Sequence, residues 1–153
     1  MINLCIYNNL LMPKLYIEYL NGNYTNPNLN INGCGPAGIL NSIVPDEYDG
    51  IDLNPACNIH DFMYFHGETE QDRDLADRIF LFNLLVLVDA DNPSIKISKK
   101  RHNRMILYYN AVSNLGHKFY IYKKGTKPDY DDVLKEVVKN DYDWFSEDIH
   151  DGG

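Results

Sequence analysis

The stretch Asn54-Pro55-Ala56-Cys57-Asn58-Ile59-His60-Asp61-Phe62-Met63-Tyr64 decides how the rest of the chain is read. An Asn side chain can satisfy free N–H groups at a helix start and Pro tolerates the first helical position, so a helix is expected to begin here. Residues four apart share one helix face, whereas neighbours stand about 100° apart. His60 and Tyr64 therefore align, and Asp61 points to the adjacent face. A titratable base, a hard-cation ligand and a phenol come within one helical turn.

Gly67 offers a left-handed stop to this helix, with His66 in its last turn. Thr69 and Asp72 then have the spacing of a capping box, with Asp in place of the longer Glu or Gln. A second helix is expected from about residue 70 through Leu75, Ile79, Phe80, Phe82, Leu84, Leu85 and Val88, stopped by Asp91-Asn92-Pro93. Apolar nearly all round after Ile79, it should be the central helix of the core. A connection this short favours an antiparallel pair. His60 and Asp77 lie equally far from the midpoint of the turn between residues 68 and 69, so their side chains should stand level. Asp77 shares a stripe with Phe80, Leu81 and Leu84, where a lone carboxylate is costly and a partner is expected. Asp74 lies on the same stripe and is the alternative partner.

Elsewhere the signals are coarser. Leu4, Tyr7, Leu10, Leu11, Leu15, Tyr19 and Leu20 have a roughly helical spacing broken at Pro13, which suggests a short helix or packed arm. Residues 21–30 have turn chemistry, and residues 41–53, with Pro45, Asp46, Glu47, Asp49, Gly50 and Asp52, look like an exposed acidic loop. A third helix is expected from about Ser98 to Leu115 with Gly116 ending it, and Phe119 to Tyr122 fits a short strand or a frayed helical end. Lys99, Lys100, Arg101 and Arg104 crowd the third helix's start, as a solvated face or a patch for lipid head groups. Asp129 to Lys139 reads as an amphipathic helix before an acidic tail. The organisation is one mainly helical (all-α) domain: an arm over 1–30, a core over 31–125 and a C-terminal helix and tail over 126–153.

At 153 residues the chain can bury a sizeable core without metal or disulfides. No apolar run approaches the roughly 20 residues that span a bilayer, and the N-terminus lacks the basic start and unbroken apolar core of a signal peptide. A formal charge of −8 argues against a nucleic-acid partner and against simple adhesion to anionic lipid. With 3 cysteines, at least one thiol is left over within the monomer.

A His held by a buried Asp suits general-base chemistry, because the carboxylate sets the tautomer and steadies the imidazolium. No activated Ser or Cys nucleophile is evident, so water is the natural attacking group. Asp61 and the carbonyls of Asn32-Gly33-Cys34-Gly35-Pro36-Ala37-Gly38 are hard oxygen donors, which suit calcium better than a transition metal. Such a cation would stabilise a developing oxyanion, and the parts describe metal-assisted ester hydrolysis. Each residue alone has a plainer reading as a packed His, an exposed charge or a core Tyr. Zinc held by Cys34, Cys57, His60 and His66 is a further reading, without a recognised paired-ligand spacing.

Cys57-Asn58-Ile59-His60-Asp61-Phe62-Met63-Tyr64, following Cys34-Gly35-Pro36-Ala37-Gly38, resembles the Cys-x-x-His-Asp-x-x-Tyr element and calcium loop of the calcium-dependent secreted phospholipase A2 superfamily. The likeness covers roughly residues 31 to 90. It implies His60 as general base, Asp61 as side-chain calcium ligand, Asp77 as the carboxylate orienting His60 and Tyr64 as a donor to that carboxylate. The carbonyls of Gly33, Gly35 and Ala37 would complete the calcium site, although glycine falls one position later here than in many relatives. Ala76-Asp77-Arg78-Ile79-Phe80 is similar to a string in parvovirus capsid phospholipase domains, which favours Asp77 over Asp74. The resemblance also implies a phospholipid substrate at a membrane or micelle interface, cleaved usually at the sn-2 ester, with Leu10, Leu11, Met12 and Leu15 available round a slot. Cys34 and Cys57 fall at positions bonded in many secreted members, which would favour an extracellular or virion-associated protein. The other cysteines of the animal enzymes are missing. A non-catalytic calcium- or lipid-binding structural or virion protein is the rival expectation.

Overall fold

Capping chemistry sets the frame of the two central helices. In the computed structural model, which describes residues 3–31, 33–34 and 43–124 with side chains as far as residue 115, α2 runs Asn54–His66 and α3 runs Glu70–Asp89. They follow a hairpin β1 (Leu4–Tyr7) and β2 (Leu10–Pro13), a helix α1 (Lys14–Leu20), and a second hairpin β3 (Glu47–Tyr48) and β4 (Ile51–Asp52); α4, Ile95–Lys124, completes the order. The fold is mainly helical, as expected. Gly35, Ala37 and the expected C-terminal helix and tail lie outside the described residues.

The turn between α2 and α3 is built as a reciprocal cap. Thr69 Oγ1 accepts from Asp72 N–H at 3.1 Å, and Asp72 Oδ2 accepts from the N–H groups of Thr69 and Glu68 at 3.0 and 2.9 Å. Those donors, Glu68 first, hold the Asp72 carboxyl below its ordinary pKa. Gly67 differs from expectation: it is extended, with φ −70° and ψ 150°, and simply carries the chain into the cap. Asn54 differs too. Its amide links the glycine run to α2, accepting from Cys34 N–H at 3.0 Å, while Asp52 Oδ1 accepts from both the Asn54 main-chain N–H and Nδ2 at 2.9 Å.

The N-terminal arm is a hairpin before it is a helix. Leu4 pairs with Pro13 and Tyr7 with Leu10, and Asn8 and Asn9 both take positive φ, 51° and 68°. Two positive φ values are what a two-residue hairpin turn of matching twist requires, and Asn tolerates them. The hairpin is anchored by Asn83 of α3, whose Nδ2 donates to Leu11 O while its Oδ1 accepts from Leu11 N–H, both at 2.8 Å. A buried amide thus takes the place of a third strand. In residues 43–52, Pro45, Asp46, Glu47, Asp49, Gly50 and Asp52 are exposed as expected, but Ile43 and Val44 are buried, and Asp49 and Gly50 turn β3 into β4.

Two apolar clusters meet at the α2–α3 pair. Phe80, Leu84 and Val88 pack with Met105, Tyr108, Val112 and Leu115 of α4, while Ile59, Phe62, Met63 and Ile79 pack with Leu10, Met12 and Tyr16. Full burial of each large side chain contributes about 1.5–3 kcal/mol. The third helix begins and ends beyond its expected bounds, passing through Gly116. A single interior glycine costs only about 1 kcal/mol, less than the continuing helix supplies. Half of its basic cluster is not a solvated face. Arg101 is buried, bonded to Asp49 at 3.0 Å, Asp91 at 2.8 Å and Val88 O at 2.9 Å, and Arg104 lies over the Tyr48 ring. Lys99 and Lys100 are exposed.

Cys34 and Cys57 form a disulfide with Cα atoms 5.3 Å apart, and Cys5 is free. The bond closes a loop across a sequence separation of 23. Replacing both cysteines with Ser should lower stability by ~3 kcal/mol through the freed unfolded chain. Guanidinium unfolding of the parent and the double variant measures it.

Candidate active site

The level placement of His60 and Asp77 brings them into contact. His60 Nε2 lies 2.7 Å from Asp77 Oδ1, and both side chains are buried. Tyr64, one turn on from His60, donates its phenol to the same oxygen at 2.6 Å. The His60 ring is framed by Tyr64 at 4.1 Å and Phe80 at 4.9 Å between centroids. Asp74 is not the partner: it holds Arg78 at 2.7 Å on the exposed side of α3.

The other oxygen of Asp77 is also taken. Arg73, one turn earlier on α3, donates from Nη1 to Asp77 Oδ2, and its Nε donates to Glu70 Oε1 at 2.8 Å. The same Nη1 lies 3.3 Å from Ser113 Oγ on α4. Burial works against the Arg73 charge, but the Glu70 hydrogen bond and the charges of Asp77 and Glu70 outweigh it and raise the guanidinium pKa. Sequence reading passed over Arg73. Its signal was the Glu70-Arg73-Asp77 spacing of three and four residues, which places all three on one face.

With Asp77 a carboxylate, the donor in the His60 contact is Nε2–H, and this leaves Nδ1 with the lone pair that can accept a proton. Asp61 follows on the adjacent face and is half-buried. Its charge reaches α1, where burial first, then Tyr19 and Asp61, push the Tyr16 phenol up to about 12. Gly33, at φ +66°, sits where a Cβ would collide with Asn54 Oδ1. Gly33 and Cys34 are thereby held against the first turn of α2, where Cys57 also ties Cys34. Because Cys34 and Cys57 are bonded to each other, they are not the thiolate pair a zinc site would need. His66 is committed elsewhere, 3.1 Å from Tyr24 Oη.

Of the four expected slot residues, Leu10 and Met12 are core and Leu11 is held by Asn83. Leu15 is exposed and borders a cleft of about 430 Å³ with Pro13, Lys14, Phe62 and Met63. Phe62 lies on the face of α2 turned away from His60 and Tyr64, whereas Met63, three residues after His60, stands about 60° from it. No described helix is long and apolar enough to cross a membrane. No protein-family model, curated protein or solved structure matches the chain.

Burial, and then the charge of Asp77, also push the Tyr64 phenol far above its ordinary value. A raised folded pKa means that this stability is fully present below about pH 10 and is lost as pH rises further, where only the unfolded chain gives up the proton. Tyr64→Phe should cost about 1.5–3 kcal/mol at neutral pH, as for a hydrogen bond to a charged group. It should also reduce the decline in stability above about pH 10. Urea midpoints of the two proteins on either side of that pH test both effects.

Proposed function

We propose that the chain hydrolyses a phospholipid acyl ester, giving a fatty acid and a lysophospholipid, as a cysteine-poor relative of the secreted phospholipase A2 superfamily. The observation that carries this reading is the buried His60 Nε2–Asp77 Oδ1 hydrogen bond, shared with Tyr64 and standing next to Asp61. The Cys57-to-Tyr64 element supports it from the sequence side.

His60 Nδ1 takes a proton from water as the water oxygen attacks the ester carbonyl. Asp77 steadies the imidazolium so formed, and Tyr64 keeps Oδ1 directed at the ring. Collapse of the tetrahedral adduct breaks the acyl C–O bond, and His60 returns the proton to the leaving lysophospholipid oxygen. His60 and Asp77 supply the proton chemistry without a covalent enzyme intermediate.

Among the described residues no three His, Cys, Asp or Glu side chains gather as a metal cluster. A cation here would rest on one carboxylate and main-chain oxygens, a donor set that suits calcium. Asp61 and the Gly33 carbonyl would hold it, together with those of Gly35 and Ala37. When bound, calcium supplies a positive charge for the oxygen that becomes anionic. The substrate is taken from a membrane or micelle interface, by apolar contact rather than by attraction of a −8 protein to anionic lipid. The disulfide supports work in an oxidising setting, outside the cell or on a virion.

Fatty-acid release from phosphatidylcholine vesicles, titrated with and without calcium, tests the reading. Release should require calcium. His60→Gln should lower the rate by about 10²-fold or more while leaving calcium affinity nearly unchanged. Asp61→Asn should weaken calcium binding itself, read by calorimetry. A parent protein that binds calcium and releases no fatty acid would refute hydrolysis.

A further inference from the structure

Asp77 is fully buried and carries its three hydrogen bonds on two distinct oxygens. Oδ1 serves His60 and Tyr64, both from α2. Among the described residues, Oδ2 serves only Arg73, from its own helix. A carboxylate turns about a broad, roughly two-fold torsion. The two α2 donors hold that rotation at Oδ1. A donor on the second oxygen holds it from the other side.

Arg73 is in turn fixed from both sides. Glu70 holds Nε at 2.8 Å, and Ser113 of α4 stands 3.3 Å from Nη1. The chain of contacts His60–Asp77–Arg73–Ser113 therefore passes through α2, α3 and α4. The other buried arginine is arranged differently. Arg101 meets Asp49 and Asp91, whose side chains are 54% and 56% exposed, and the Val88 carbonyl, so it ties surface loops to α4. Arg73 commits a hydrogen bond to the carboxylate that holds the proposed base.

We propose that Arg73 is a positioning residue for the hydrolysis, acting through Asp77 by pinning Oδ2 so that Oδ1 faces His60 Nε2. The inference rests on the reading of His60 as general base. It predicts a defect in turnover rather than in substrate binding. Arg73→Lys keeps the charge and loses the planar fork, and Arg73→Met loses both.

The test follows release of fatty acid from a short-chain phosphatidylcholine, kept monomeric, with calcium present and rates referred to folded protein. Arg78→Met, at the exposed pair with Asp74, is the control. Arg73→Met should lower kcat by about 10²-fold, the scale of a misplaced catalytic group, with KM little changed. Arg73→Lys should fall between it and the parent, and the control should match the parent. Proton NMR gives a second reading independent of turnover, because the His60 Nε2 proton bonded to a buried carboxylate resonates well downfield of amide protons. That signal should stay sharp in the control, shift in Arg73→Lys and shift further or vanish in Arg73→Met. Folded variants with parental kcat and an unmoved signal overturn the proposal. If Arg73→Met does not fold, Arg73→Lys decides by the same two readings. If the parent releases no fatty acid, the hydrolysis reading falls, and an unmoved imidazole signal in the variants separately overturns Arg73's hold on Asp77.

Discussion

A carboxylate with no solvent exposure, Asp77, is the constraint on which the arrangement depends. Taking a single charge out of water costs several kcal/mol unless geometry and hydrogen bonds offset it. Here the offset comes from an imidazole, a phenol and a guanidinium. Two of these donors sit on α2 one turn apart, so α2 must lie against α3 in a single register and rotation. A one-residue slip would swing His60 by about 100° and leave the charge uncompensated. The short connection and its Thr69–Asp72 cap hold that register from the end of the pair.

Much of this was legible in the chain because it depends on local rules. The capping box, the apolar stripe and the equal distances of His60 and Asp77 from the turn are consequences of helix geometry, and they brought the pair together without knowledge of the rest. The misses have a common cause in long-range pairing. The first hairpin was hidden because Leu4, Tyr7, Leu10 and Leu11 also fit a helical period. Its real signal was Asn8-Asn9 at the turn, and its anchor, Asn83, lies 72 residues from Leu11. Arg101 likewise finds Asp49 at a separation of 52. Arg73 was missed for a different reason, since its partners are local but a charged residue near a helix start reads by default as solvated.

The glycine run shows how a local rule can be overruled by a tertiary one. Asn54 has the right chemistry for a helix cap, yet its amide is used to bind Cys34 N–H, and Asp52 takes over the nearby donors. Together with the Cys34–Cys57 bond this fastens Gly33 and Cys34 to the helix that carries His60 and Asp61. Two fastenings on one residue, Cys34, leave little freedom for that end of the segment.

Stability alone is a poor account of the His60, Asp77 and Arg73 group. Apolar side chains of similar volume commonly replace buried ion pairs without loss, and neighbouring positions show that this interior accepts them: Phe80 and Leu84 follow Asp77 on the same stripe, fully buried. The protein also has a cheaper way to use a buried arginine, shown at Arg101, where the paired carboxylates keep half their surface in water. At Asp77 the full desolvation is accepted, and the Nε2 of a buried imidazole is committed to the carboxylate. A structural tie needs only the committed nitrogen. The proposed hydrolysis would draw on the second nitrogen, Nδ1, which gives the group a use that packing alone does not.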